Sequence, residues 1–521
     1  MDTSTISLHL HLPPQLVKLL SSTPALSVAI LLAFVLSFVL NRAIEDRSIP
    51  KITSSKSWLA ARQDFNAHGV KIIEKGFHEV KSGVFRVTAL DGSDLVLISP
   101  EHWLAICKKK DEEVAPARKE FFLCDLHGAP FEEPFLYRYL GTRMPGFDRY
   151  LDVISKALDE GLYSILDQGV DYSADKCKRV IMQPQILHVY SHVIWRVIMG
   201  KGFRPEVVDI FEQYSATLIP VMKRLKAQRP IMARITAAFS NEVRHVNAQL
   251  EQATAFFTPI FEQYVQAFEQ GSPNSEVDNE WFTELVNMAP AEKRRDYKFL
   301  TNILIGFAFT FVFSPGPSTT QVVYEFAFRP DYVDQVLEEA HKVLGEQSEH
   351  WIFTRDSLRR LSLLDSFCKE THKHHPTAAS NLMKKIHKTQ TLPNGVVLPA
   401  GTIFEVVMTA AHLSNPNLEN PAEWNGRRYH DLRQKMSSTT IGSNKYDWGS
   451  ATRDDVNFGY ASHMCPGRWA GCSIAKMFLI KLLASYQIRP EDGVTERYED
   501  LHSGQYILPN PTKHILIRPR H

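Results

Sequence analysis

Beyond residue 56 nothing divides the chain: no Gly/Ser linker, low-complexity tract or fixed-period repeat interrupts the sequence up to residue 521. A prior of about 150 residues per domain would allow two or three domains, but without a boundary the stretch reads as one large unit with a sizeable core. From about residue 150 to 375 its periodicity is mostly helical. In "YLDVISKALDEGLYSILDQ" and "YVDQVLEEAHKVLGE" apolar residues return at intervals of three and four. The β signals are short. "GVFRVTAL" (83–90) and "DLVLIS" (94–99) flank a "DGSD" turn, and "TQTLPNGVVLPAGTIFEVV" (389–407) carries Pro-Asn-Gly and Pro-Ala-Gly turns. The pattern predicts a mainly α architecture with a small β-rich portion.

Residues 19–41 form an uncharged, strongly apolar run bounded by Lys18 and Arg42. At about 1.5 Å per residue, roughly 20 such residues cross a hydrocarbon core, so the run reads as one transmembrane helix. A cleaved signal peptide is the competing reading. Against it stand the length of the apolar run, the leader of residues 1–18 and the lack of a small-x-small cleavage site. Residues 42–59 make a basic linker with Arg42, Arg47, Lys51 and Lys56 against Glu45 and Asp46, while only Lys18 precedes the span. The positive-inside bias places the bulk of the chain, residues 60–521, in the cytosol.

The formal net charge is +1, with 59 basic against 58 acidic residues, which leaves no broad field for a nucleic-acid partner. The six cysteines are scattered without a C-x-x-C pair and read as reduced thiols.

One of them is set apart by its neighbours. In "FGYASHMCPGRWAG" (458–471), Cys465 precedes Pro466 and Gly467 and then a strong helical pattern. Proline suits a first helical turn, so the sulfur sits at a helix mouth whose N–H groups favour a thiolate and a lowered thiol pKa. Gly467 lets the backbone approach something bulky, with Phe458 and His463 offering a stacking ring and a polar or cationic contact. A planar, anionic, metal-centred ligand fits. A plain buried cysteine by a turn is the alternative. A zinc site lacks further ligands at short spacing, and a cysteine nucleophile lacks a convincing base.

The segment "FGYASHMCPGR" resembles the haem-binding loop of the cytochrome P450 family, F-x-x-G-x-R/H-x-C-x-G, at Phe458, His463, Cys465 and Gly467. The resemblance implies the cytochrome P450 fold, with haem b held through the Cys465 thiolate as the metal ligand. It also implies that His463 faces a haem propionate and that Phe458 packs near the sulfur. A thiolate donates electron density to iron and favours O–O cleavage.

Further along the chain, "KETHKHHP" (369–376) resembles the family's E-x-x-R helix, with Glu370 in place and Lys373 where arginine is expected. "NPAEWNGRRYHDLRQ" (420–434) supplies the second arginine at Arg428. These three are implied to form a structural clamp, looser for want of arginine's planar fork. His372, His374 and His375 read as a solvated helix end rather than a metal cluster.

In "YKFLTNILIGFAFTFVFSPGPSTTQVVYEFAF" (297–328) the acid-alcohol pair expected of the oxygen-binding helix falls at Phe313 and Ser314. The acid is missing, Ser314 keeps a hydroxyl as the candidate catalytic group, and Pro315-Gly316-Pro317 predicts a kink. Ala461 stands where the haem loop normally has a glycine that needs φ > 0 or close approach.

The resemblance extends to the fungal microsomal type and its ent-kaurene-oxidase-like branch. It implies a membrane-anchored monooxygenase of the endoplasmic reticulum, facing the cytosol and fed by NADPH-cytochrome P450 reductase. Its substrate would be a lipophilic molecule such as a terpenoid or another secondary metabolite, and membrane lipid would be a further contact. The alternative is a haem-binding protein with little oxygenase activity, acting as an isomerase or non-catalytic partner.

Overall fold

The first strands form because "DGSD" turns the chain back on itself. Asp91 Oδ1 accepts the Ser93 N–H at 2.9 Å, and Gly92 takes φ +78°, where a Cβ would strike the Trp58 ring at 2.3 Å. The result is an antiparallel pair, β1 (Val84–Thr88) and β2 (Asp94–Ile98). A computed structural model describes residues 49–53, 57–130, 134–167, 177–271, 279–436 and 444–520. The apolar run at 19–41 and its leader lie outside the described residues.

Ten further short strands follow: β3 (Val114–Pro116), β4 (Lys178–Val180), β5 (Ser380–Ile386), β6 (Gln390–Thr391), β7 (Val397–Leu398), β8 (Ile403–Val407), β9 (Tyr486–Pro490), β10 (Leu501–Ser503), β11 (Tyr506–Leu508) and β12 (Ile515–Pro519). A five-stranded sheet runs β1-β2-β8-β5-β3, with β2 and β8 parallel and the other neighbours antiparallel. The β5 register slips between Asn381 and Lys384, and Leu382 at the slip takes φ +59°. Such a bulge re-aims the side chains beyond it, Lys384 among them.

Helices make up the rest. Those that position the site are α1 (Trp58–Glu79), α2 (Pro100–Ile106), α3 (Leu151–Leu166), α4 (Met182–Met199), α5 (Glu206–Lys226), α6 (Pro230–Phe239), α7 (Asn241–Glu269), α8 (Tyr297–Phe313), α9 (Pro315–Phe328), α10 (Pro330–Leu344), α11 (Ser362–His374), α12 (Arg428–Gln434) and α13 (Arg468–Ser485). In α3 the buried positions Leu151, Ile154, Leu158, Leu162 and Ile165 follow the three-and-four spacing. The main apolar core gathers α3, α4, α5, α7, α8 and α13, and a smaller cluster lies against the sheet. Residues Tyr297–Phe328 are long and apolar enough to cross a membrane, yet most of this stretch is buried inside the body.

The 297–328 stretch divides where the sequence predicts. Asp296 caps its start by accepting the Phe299 N–H at 3.0 Å, and α8 ends at Phe313. Pro315 and Pro317 have no N–H to give the carbonyls of Phe311 and Phe313, so the ladder is interrupted. Ser314 stays in the right-handed region (φ −88°, ψ −55°), and α9 resumes at Pro315.

Below α9 lies a buried ionic network. Glu325 pairs with Arg329 (3.0 Å), His375 (3.3 Å) and Arg497, and His375 also meets Asp500 at 2.7 Å. Burial opposes a charge on His375, but hydrogen bonds to Asp500 and Glu325 outweigh it and raise the group above its ordinary 6.5. Burial likewise pushes the Glu325 carboxyl up, and His375, Arg497 and Arg329 together hold it below its ordinary 4.5.

The signs are opposite. The raised histidine stabilises the fold fully below 6.5 and loses that contribution as pH rises through its folded value. The depressed carboxylates contribute above 4.5 and lose it as pH falls. His375→Gln should therefore cost more stability at about pH 6 than at about pH 8.5, measured by thermal unfolding. An equal penalty at both would dismiss the charged-histidine account.

Candidate haem-binding site

The loop before α13 is shaped by its backbone. Gly459 takes φ +80°, where a Cβ would lie 2.2 Å from the His463 carbonyl oxygen, so the turn requires glycine. The Cys465 N–H donates to the Phe458 carbonyl at 2.7 Å, and Arg468 Nη1 donates to the Cys465 carbonyl at 2.9 Å. Ser462 ties the loop to the end of α2 by donating to the Cys107 carbonyl at 3.1 Å. Phe458 meets the His372 ring edge-on at 5.5 Å, and His372 accepts the Trp448 Nε1–H at 3.2 Å. Phe458, His463, Cys465 and Gly467 are thus brought into one turn.

Ala461 takes φ +54°, the left-handed region in which a side chain is strained. Ala461→Gly should stabilise the protein by about 0.5–1 kcal/mol. A rise in thermal midpoint of roughly 1–2 °C checks this, and a fall would refute it.

The sulfur differs from expectation in its proton affinity. Burial pushes the Cys465 thiol up, and the Gly467 N–H, Arg118 and Arg468 pull it down by less. The helix mouth alone does not make a thiolate here, because desolvation exceeds the pull of the neighbouring N–H groups and cations. A bound metal cation deprotonates such a thiol outright. Cys465 is nevertheless exposed, so its sulfur is open to a ligand.

One rim of this site is built from α2, β5 and the loop. The rings of Trp103 and His463 lie 5.3 Å apart, and Lys384 Nζ stands 3.1 Å from His463 Nδ1. An ammonium only donates, so Nδ1 accepts and the imidazole proton sits on Nε2. Burial, reinforced by Lys384, lowers His463 to about 4, so it is neutral and the cation of this corner is Lys384. Trp103 Nε1 and His463 Nε2 are buried without a hydrogen-bond partner among the described residues. Two orphaned N–H donors beside an ammonium suit carboxylates, and haem b carries two. The donor set and the open thiol fit that group.

Phe311 stands opposite the loop. A Cβ on Gly467 would touch its ring at 3.5 Å and Met144 Sδ at 3.6 Å. Phe311 stacks on Phe147 (5.6 Å) and Phe307 (4.8 Å), and Phe307 meets Trp281 at 4.8 Å. Ser314 follows three residues later, exposed, at the division between α8 and α9.

Glu370, Lys373 and Arg428 come together. Lys373 Nζ lies 3.0 Å from Glu370 Oε1, and Arg428 Nε donates to both carboxylate oxygens at 3.1 Å. The Asn425 N–H adds a bond at 3.0 Å. Lys373 spends a second donor on the Pro421 carbonyl at 2.7 Å, so the lysine makes one contact where a guanidinium fork would make two.

The neighbouring histidines are not a solvated end. His374 Nε2 lies 3.3 Å from Glu370, His375 joins the Glu325 network, and His372 packs under Phe458. No group of three metal-ligating side chains occurs among the described residues.

Sequence reasoning missed Trp103 and Lys384, together with a buried pair behind the loop. Lys476 of α13 bonds Asp365 of α11 at 2.7 Å, and Asp365 also accepts the Trp448 N–H at 2.7 Å. A charge inside the apolar run "IAKMFLIKLL" was the available signal.

The family model for cytochrome P450 matches residues 163–517. Cytochrome P450 monooxygenase BOA4 of Botryotinia fuckeliana is 27% identical over 66% of this chain and 67% of its own length. An ent-kaurene oxidase of Gibberella intermedia is 23% identical over 89% of this chain and 86% of its own. The crystal structure of the cytochrome P450DA heme domain superposes with a TM-score of 0.67 at 13% identity, covering 91% of this chain and 98% of that one. The chain belongs to the cytochrome P450 family, oxidoreductases that use haem b on an axial cysteine thiolate.

Proposed function

We propose that the protein is a membrane-anchored haem-thiolate monooxygenase acting on a lipophilic small molecule, in the class of terpenoids or other fungal secondary metabolites. The observation that carries the reading is the open Cys465 thiol in the same loop as His463, whose orphaned Nε2 joins Trp103 Nε1 and Lys384 Nζ in one donor set. Cys465 would hold the iron, and the rim donors would hold the two propionates. Phe458 would pack by the sulfur, and Gly467 would leave room for the macrocycle.

Haem b bound in this way supplies the activation of dioxygen, with electron density from sulfur favouring O–O cleavage. The chain's own residues do the rest. Phe147, Phe307 and Phe311 pack as one aromatic cluster opposite the loop that would exclude water there. Ser314 Oγ is the hydroxyl that would pass protons where Phe313 replaces the acid. Glu370, Lys373 and Arg428 brace the segment beneath the loop.

The ent-kaurene oxidases among the relatives support the substrate class. The apolar run at 19–41 and the basic residues after it support a single-pass anchor in the endoplasmic reticulum with residues 60–521 facing the cytosol. NADPH-cytochrome P450 reductase would then deliver electrons.

The missing acid at position 313 favours a second reading, a haem protein with little oxygenase activity. Microsomes carrying the protein and the reductase separate the two. A sulfur-type ferrous-carbonyl band with substrate-dependent NADPH consumption supports the monooxygenase, the band without consumption supports the second reading, and no porphyrin absorbance defeats both.

A further inference from the structure

Aromatic rings touch one another from the Cys465 loop out to the protein surface. The Phe311 ring stands 3.5 Å from the place a Cβ on Gly467 would take. Phe311 meets Phe307 at 4.8 Å, Phe307 meets Trp281 at 4.8 Å, and Trp281 meets Tyr150 at 5.6 Å. Phe307, Phe311 and Trp281 are buried, whereas Tyr150 is half-buried and donates to Glu280, whose carboxylate reaches solvent. Asn279 fixes the outer end: its side chain accepts the Trp281 N–H at 2.9 Å and donates to the Ile198 carbonyl of α4 at 2.8 Å.

A benzene ring gives up an electron with difficulty, but indole and phenol give one up readily, so Trp281 and Tyr150 are the oxidisable members of this line. Their proton acceptors differ. Trp281 Nε1 is buried without a hydrogen-bond partner among the described residues, and the Arg143 guanidinium lies 4.7 Å over its ring. An oxidised indole there keeps its proton and holds a positive charge beside another cation, so the charge moves on. Tyr150 has a base. Its acceptor Glu280 is held by Arg143 and Arg149 at 2.9 Å each. Burial pushes the Glu280 carboxyl up, but Tyr150, Arg143 and Arg149 together keep it below its ordinary 4.5, so it is a carboxylate at neutral pH. Arg143 Nη2 also donates to the phenol oxygen at 3.2 Å, a bond that a phenoxyl oxygen can keep. Tyr139, also beside Trp281, donates instead to the Trp281 carbonyl at 2.8 Å, and a carbonyl is too weak a base to take its proton.

With Phe313 in place of the acid, proton supply rests on Ser314. Oxidising equivalents that meet no substrate then persist beside Cys465 and Met144, whose side chains oxidise readily.

We propose that Trp281 and Tyr150 form an exit for such oxidising equivalents, carrying them from the haem site to a soluble thiol at the surface. This rests on the haem-thiolate reading above and goes beyond it, since no substrate is oxidised. In each event one electron moves from Tyr150 through Trp281 to the haem site, and the phenol proton passes to Glu280. A thiol then gives one electron to the phenoxyl radical and its proton to solvent, while Tyr150 recovers its own proton from Glu280. Two thiyl radicals couple to a disulfide. Two such events, with two protons from solvent, reduce one hydrogen peroxide to two waters, so the sum is one peroxide and two thiols giving one disulfide and two waters.

The test uses the full-length holoenzyme without substrate, hydrogen peroxide as oxidant and glutathione as thiol. Freeze-quenched electron paramagnetic resonance should show a tyrosyl radical in the wild type and in Tyr139→Phe. Tyr150→Phe and Trp281→Phe should lose it, the phenylalanine keeping a ring in the packing; where Trp281→Phe fails to fold, Tyr150→Phe decides. Glutathione should quench the wild-type radical in the stoichiometry above, and should slow peroxide bleaching of the Soret band in the wild type and not in Tyr150→Phe.

A wild type without a tyrosyl signal, or a signal that survives in Tyr150→Phe or in folded Trp281→Phe, overturns the proposal. So does glutathione that leaves both the signal and the bleaching rate unchanged. The ferrous-carbonyl spectrum of each sample separates the failures. With the sulfur-type band present, a missing radical counts against this exit alone, whereas an absent band counts against the haem-thiolate reading and removes the exit with it.

Discussion

Cys465→Ala should abolish the sulfur-type ferrous-carbonyl band and reduce oxygen insertion to background, while the polypeptide stays folded. The loop is held by groups that alanine retains. The residue 465 N–H still donates to the Phe458 carbonyl, Arg468 still donates to the residue 465 carbonyl, and Gly459 still makes the turn. The cysteine is exposed and contributes little packing. What disappears is the ligand, and with it the electron donation that distinguishes sulfur from imidazole.

Cys472→Ala is the matched control. That cysteine is buried seven residues later in α13, so its loss costs packing but leaves the band in place. The measurements are the carbonyl difference spectrum and circular dichroism on both variants. A sulfur-type band persisting in Cys465→Ala would show that another ligand holds the iron.

Legibility in the sequence followed distance along the chain. The β1–β2 hairpin was readable because Asp91, Gly92 and Ser93 settle it within a few residues. The interruption at Ser314 was readable because a proline acts on the carbonyl one turn back. The haem-type loop was readable for the same reason, and so was the strain at Ala461. The rim was not. Trp103, Lys384 and His463 meet only when α2, a bulged β5 and the 458–471 loop are assembled, and no local pattern marks Lys384 as the cation of that corner.

Two readings failed because local rules ignore burial. The helix-mouth argument lowers the Cys465 thiol, but desolvation raises it by more. The polar run of histidines after Glu370 looks solvated by composition, yet each ring finds a carboxylate or an aromatic partner.

Arg428→Met is expected to be nearly as damaging as loss of the cysteine, by a different route. Glu370 has no solvent exposure, and its charge is balanced by Lys373 and Arg428. Burial pushes the Glu370 carboxyl up, and His374, Lys373, Arg428 and the Asn425 N–H together hold it below its ordinary value. Removing the guanidinium withdraws both 3.1 Å bonds to the carboxylate and strips donors from the carbonyls of Glu419, Asn420 and Glu423. Breaking a buried pair from one side costs about 3–5 kcal/mol, a large share of the roughly 5–15 kcal/mol that keeps a protein folded.

The thermal midpoint should fall by on the order of 5–10 °C, with haem content falling alongside it because the segment at 419–428 packs beneath the loop's supporting helix α11. Lys373→Arg gives the contrast. The charge is kept and a fork replaces a point donor, so the change should stay within about 1.5 kcal/mol. If Arg428→Met unfolded at the wild-type temperature, the ion pairs would be dispensable, and α11 would owe its position to the Phe326–Phe367 stack at 3.9 Å and the apolar contacts around it.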